Sequence, residues 1–162
     1  MKCVKLTVHE VPDVTEAEIT ISCRNIDERI QQLIRQIQQY TYTFQAKSES
    51  GESLIPAEKV YYIDSVDGKT FLYAEKEVFN CQQTLSELES KLFDSTFVRI
   101  SKNCILNTAF LRSVQPLWNN RLEAFLVNGE KLIISRHYIK NLRERNMEIS
   151  SIYMVRFFLL LR

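Results

Sequence analysis

Residues 97–107 read Phe97-Val-Arg-Ile-Ser-Lys-Asn-Cys-Ile-Leu-Asn107, and residues 134–142 read Ile134-Ser-Arg-His-Tyr-Ile-Lys-Asn-Leu142. In the first run the apolar residues Phe97, Val98, Ile100, Cys104, Ile105 and Leu106 surround the polar trio Ser101-Lys102-Asn103. In the second, Leu132, Ile133 and Ile134 lead directly into Ser135-Arg136-His137. Both patterns are those of short strands that end in a cationic corner, so a β-scaffold would hold these polar side chains rigidly outward. Fixed cations and amides at strand ends suit contact with an acidic polymer.

The charges are distributed to match. The chain carries 21 Lys+Arg against 20 Asp+Glu, nearly neutral as a whole. Residues 1–96 hold 10 basic and 16 acidic side chains, whereas residues 97–145 hold 9 basic and 3 acidic ones. A near-neutral total therefore conceals an acidic front and a basic back, and the basic part has the footprint of a phosphate-contacting surface.

At 162 residues the chain is long enough to bury a core without covalent staples. Four scattered cysteines, Cys3, Cys23, Cys81 and Cys104, form neither a C-x-x-C pair nor a Cys/His cluster at zinc spacing, and read as reduced packing residues of a cytoplasmic protein. The N-terminus has no secretory pattern, and no stretch approaches the roughly 18–20 apolar residues that span a bilayer. The apolar tail Ile152–Leu161 is too short for that and is interrupted by Arg156.

Three parts follow along the chain. Residues 1–44 predict a β-β-α unit: one strand over Cys3–Val8, a second with Ile19, Ile21 and Cys23 alternating, and a helix over about 27–39 with Ile26, Ile30, Leu33, Ile34 and Ile37 on one face. Residues 45–146 read as mainly β with short helices. The strands include Val60–Ile63, Thr70–Ala74 and Glu77–Phe79, with Asp67-Gly68 as a hairpin turn and Lys47–Ser53 as a polar hinge or loop. Thr84, followed three residues later by Glu87, caps a helix to Leu92. Further strands follow, punctuated by Asn119-Asn120 and Asn128-Gly129, then a short helix from Tyr138 to Arg145. Residues 147–162 form the apolar tail. The strand aromatics Phe97, Trp118 and Phe125 are expected in the core, Arg99 in a structural role, and Asn107 bonded to backbone.

Catalysis finds little support. The two histidines, His9 and His137, lie at opposite ends of the chain, and all three glycines fall in polar turns, so neither a nucleophile–base pair nor a phosphate-cradling loop is available. No enzyme activity, cofactor or metal is expected.

Four ordered stretches, Val60-Tyr-Tyr-Ile-Asp64, Thr84–Leu92, Phe97–Asn107 and Asn128–Arg136, resemble the LytTR-type DNA-binding domain of bacterial transcription regulators, over about residues 45–145. The resemblance implies an elongated stack of small antiparallel β-sheets whose loops enter successive major grooves of double-stranded DNA at direct repeats. It implies contacts from Lys69 and Thr70 after the first hairpin turn, from Ser101, Lys102 and Asn103, and from Arg136; His137 and Lys140 beside it read as phosphate contacts or plain surface. About 45 residues precede the matching region, too few for a receiver domain, so a stand-alone regulator is expected. A homodimer and a small membrane-protein inhibitor are implied by resemblance only. Two other readings stay open: a protein-interaction module of the same fold that has lost DNA binding, and RNA binding, for which exposed stacking aromatics would be required.

Overall fold

The computed structural model describes residues 5–13, 15, 17–49 and 51–145. The fold is organised by strands whose alternate residues serve two different cores. In β7 (Cys104–Asn107) all four residues are buried. Ile105 faces a cluster with Phe44, Ile63, Leu72 and Phe79, while Cys104 and Leu106 face a second cluster with Tyr62, Val98, Val114 and Leu126. Successive side chains of a strand point to opposite faces, so a strand buried on both sides reads as a continuous apolar run.

A seven-stranded antiparallel sheet contains β1 (Thr43–Ser48), β2 (Gly51–Pro56), β3 (Val60–Val66), β4 (Lys69–Ala74), β5 (Val78–Cys81), β6 (Phe97–Arg99) and β7, in the spatial order β2-β1-β5-β4-β3-β7-β6. A second sheet of three antiparallel strands joins β8 (Leu111–Leu117), β9 (Arg121–Leu126) and β10 (Lys131–Ile134). Helix α2 (Leu85–Lys91) covers one face of the large sheet through Leu85 and Leu88. The three-stranded sheet and α3 (Ile139–Arg145), through Leu142, cover the other. The expected mainly-β architecture with short helices is therefore present.

The caps and turns follow from their residues. Thr84 Oγ1 accepts from the Glu87 N–H at 3.3 Å and the Glu87 carboxylate accepts from the Thr84 N–H at 2.7 Å, a reciprocal capping box. Those bonds from Thr84 hold the Glu87 carboxyl below its ordinary value of 4.5. A carboxyl depressed on folding adds stability above its unfolded value and loses it as pH falls. Thr84→Ala removes the hydroxyl that caps the Glu87 N–H and is expected to cost about 1 kcal/mol near neutral pH. The residue 84 N–H still bonds the carboxylate, so only the hydroxyl's smaller share of the difference from wild type shrinks below about pH 4.5 in thermal melts. At the β3–β4 turn Asp67 and Gly68 both have positive φ, 51° and 76°, the conformation a two-residue hairpin requires.

Several expectations change. Helix α1 (Glu28–Thr41) forms, capped by Asp27, whose carboxylate accepts from the Ile30 N–H at 3.1 Å. Among the described residues ahead of it, 5–13, 15 and 17–24, none is in a strand, and Leu6, Val8 and Ile19 are exposed. Alternation alone cannot form a strand without a sheet edge to receive it. The polar stretch at 47–53 is the closed end of the β1–β2 hairpin, where Ser48 pairs with Gly51 and Lys47 Nζ lies 3.1 Å from Glu52. Residues 44 and 45, between which the first two parts were divided, both lie within β1, which pairs with β5 of the large sheet. Trp118 is not in the core but 87% exposed. It sits in the β8–β9 turn beyond the last strand pair, where Asn119 and Asn120 reverse the chain at positive φ. Phe97 is buried and Phe125 half-buried, under Lys131, whose Nζ lies 5.0 Å from the ring centroid. The tail at 147–162 and Cys3 lie outside the described residues.

Candidate nucleic-acid interface

Three loops meet at one end of the large sheet because of strand register. β3 runs antiparallel to both β4 and β7, so its C-terminal end lies beside the start of β4 and the start of β7. Ser65, paired with Thr70, donates its N–H to the Asn103 carbonyl at 2.8 Å. This places the Lys69 turn next to the Ser101–Asn103 corner. The corner in turn accepts the β10–α3 loop, since Ser135 donates its N–H to the Ile100 carbonyl at 2.9 Å. Residues remote in sequence, Lys69, Lys102 and Arg136, are thereby carried on adjoining loops. Each is exposed.

The corner itself is tightly bonded. Ile100 and Ser101 both donate to the Cys104 carbonyl, at 3.0 and 3.3 Å. The Ser101 hydroxyl accepts from the Asn103 N–H at 3.2 Å, so this side chain closes the turn, leaving Lys102 and Asn103 as the exposed side chains. Arg99 supplies the rest. Its Nε donates to the Ser101 carbonyl at 2.7 Å, one terminal nitrogen donates to the Lys102 carbonyl, and the other meets Glu89 of α2 at 3.0 Å. Arg99 thus has a structural role, and its bonds attach it to this corner, which only the tertiary structure shows. The sequence signal is limited to the alternation that puts Phe97 and Arg99 on the same face of β6 as α2.

The other expected contacts divide. Thr70 is 5% exposed, enclosed between its β3 and β5 neighbours Ser65 and Cys81, so among the two residues named after the first turn only Lys69 is available to a ligand. Arg136 donates from Nε to His137 Nε2 at 3.2 Å, so the two side chains lie together on the β10–α3 loop. Lys140 is exposed, with Glu144 at 3.6 Å one helical turn away. The nine cations of residues 97–145 do not form one surface. Arg99 points inward, and Arg145 stacks over Phe93 at 4.0 Å while donating to the Phe93 and Phe97 carbonyls. Burial, followed by the neighbouring Arg35, lowers the pKa of Arg145.

Two acidic groups lie at the same sheet end. Asp67 is exposed in the turn, and Asp64, half-buried, accepts from the Ser65 N–H at 3.0 Å while burial raises its pKa. Cys104, directly after the corner, is buried, and burial followed by the Asp64 charge pushes its thiol well above the ordinary range. It is a packing residue rather than a reactive thiolate. Among the described residues no group of three His, Cys, Asp or Glu could hold a metal ion, and no helix is long and apolar enough to cross a membrane.

Comparison with known proteins bears on the same region. The family model for the LytTr DNA-binding domain matches residues 51–147. The sensory transduction protein LytT of Enterococcus faecalis is 29% identical over 92 residues, covering 57% of this chain and 38% of that protein. LytT of Bacillus anthracis is 31% identical over 91 residues, covering 56% and 37% respectively. The chain thus spans less than two fifths of the length of these relatives. A solved LytTr DNA-binding domain from a Bacillus cereus response regulator superposes with a TM-score of 0.60 at 25% identity, covering 64% of this chain and 94% of that one.

Proposed function

Because this chain belongs to the LytTr DNA-binding domain family, we propose that it is a transcription regulator that binds duplex DNA sequence-specifically, reading major grooves at direct repeats through loops. The observation that carries the reading is the meeting of Lys69, Lys102 and Arg136 on three hydrogen-bonded loops at one sheet end. In this reading Lys69, His137 and Lys140 contact phosphates and fix the register. Lys102, Asn103 and Arg136 reach base edges, the planar fork of Arg136 being suited to guanine O6 and N7. The strand framework holds these loops before DNA arrives, which limits the ordering cost of binding.

The test is selection of bound sequences from a random duplex library, followed by fluorescence anisotropy on the winning duplex. Lys102→Ala and Arg136→Ala are each expected to weaken binding by about 1–3 kcal/mol. A library without an enriched motif, or variants that bind like wild type, would sink the DNA-reading assignment and leave a protein-interaction module as the function of the fold.

A second copy of the chain and a small membrane-protein inhibitor are proposed partners on resemblance alone, and the cytoplasm is the proposed location because duplex DNA is the proposed ligand. The N-terminal part is the proposed contact region, since Leu33 on the apolar stripe of α1 and Ile26 just ahead of its cap are exposed. Sedimentation equilibrium of wild type and Leu33→Glu tests the homodimer: a monomer in both rejects it.

A further inference from the structure

The carbonyls of the Ser101–Asn103 corner are all occupied from inside the protein. Ile100 O accepts from Ser135, Ser101 O and Lys102 O accept from the Arg99 guanidinium, Asn103 O accepts from Ser65, and Cys104 O accepts from Ile100 and Ser101. A turn with its carbonyls drawn inward withdraws their partial negative charge from the outer face. It leaves Lys102 and Asn103 as the groups a polyanion meets. Arg99 draws in two of these carbonyls and is itself held: its side chain is 11% exposed and the carboxylate of Glu89, from α2, lies 3.0 Å away. The planar guanidinium can address two successive carbonyls and a carboxylate together, a geometry an ammonium cannot reproduce.

We infer that Arg99, locked by Glu89, is a positioning residue for sequence reading. It sets the conformation of the corner that presents Lys102, without itself touching DNA. This rests on the DNA-reading assignment above. The helix–strand pair Glu89–Arg99 therefore connects the α2 face of the sheet to the specificity of a loop on its end.

The experiment compares wild type with Arg99→Lys, which keeps the charge and loses the fork. Binding to the selected duplex and to a scrambled duplex is measured at one salt concentration, together with thermal melting and amide hydrogen exchange of the DNA-free protein. Arg99→Lys is expected to lose roughly tenfold on the selected duplex while binding the scrambled duplex like wild type. Its amides at 101–103 should exchange faster, with the melting transition still cooperative. An unchanged ratio between the two duplexes would overturn the inference, as would an equal loss on both. Wild type with no preference between duplexes would instead reject the DNA-reading assignment, and the inference with it. If Arg99→Lys does not fold, Glu89→Ala, at a half-exposed helix position, frees the guanidinium from its lock. It should lower the same ratio several-fold and speed exchange at the same amides; an unchanged ratio in that variant overturns the inference equally.

Discussion

Asn107→Ala is expected to remove about 3–5 kcal/mol of unfolding free energy, read as a lower denaturation midpoint at unchanged slope. Asn107 is 0% exposed at the end of β7. Its Nδ2 donates to the Val60 carbonyl at 2.8 Å, and its Oδ1 accepts from the Ala109 N–H at 3.2 Å and from the Thr96 hydroxyl at 2.6 Å. Alanine would leave these partners unsatisfied in a buried place, where each unmade bond costs about 1–3 kcal/mol and a small cavity adds to it. The network extends to α1 through Gln39, whose side-chain oxygen is placed 2.5 Å from Thr96 Oγ1. A hydroxyl has one proton to donate, and Asn107, fixed by its other two bonds, takes it. The Gln39 amide must therefore be turned so that its NH2 donates to the Thr96 oxygen. Gln39→Leu should consequently weaken the docking of α1 while leaving the β3–β7 connection intact. A loss below about 1 kcal/mol for Asn107→Ala would show that water replaces the side chain.

The affinity of the proposed DNA complex is expected to fall roughly tenfold between 50 and 200 mM monovalent salt, with a slope of log affinity on log salt of about −1.8. Lys69 and Lys140, the lysines placed on phosphates, are the cations that displace counterions, and both are exposed on or beside the three adjoining loops. Arg99 and Arg145 are left out because their guanidinium groups are committed to carbonyls inside the protein. Anisotropy titrations across that salt range give the slope directly. Removing Lys69 or Lys140 should reduce it by about one each and weaken all duplexes alike. A slope near zero would mean that these side chains do not meet phosphates.

Much of the fold is legible in the residues. Thr84 and Glu87 announce a capping box because each supplies the partner the other's backbone lacks, and Asp67-Gly68 announces a hairpin because positive φ is needed there. The same local reasoning fails where a partner is required. Residues 5–8 and 19–23 alternate as strands do, yet strand formation depends on an edge, and the large sheet ends at β2 on one side and β6 on the other without them. Trp118 is apolar and adjoins a strand, yet it stands 87% exposed beyond the end of its hairpin's pairing. Thr70 follows a polar turn and carries a hydroxyl, but the flanking strands β3 and β5 enclose it.

The sequence by itself determined the class of structure, the two cationic corners at Lys102 and Arg136 and the family resemblance, because these depend on spacing, turn chemistry and alternation within a few residues of one another. Tertiary structure alone decided which polar groups share a surface. Register along β3 brings Lys69 beside residues 101–103, and one backbone hydrogen bond from Ser135 to Ile100 adds the Arg136 loop. It also decided that Arg99 faces α2 and bonds the corner from within. A side chain's direction follows from strand alternation, but what it meets is set by elements that pack across the sheet, and no local pattern encodes that distance.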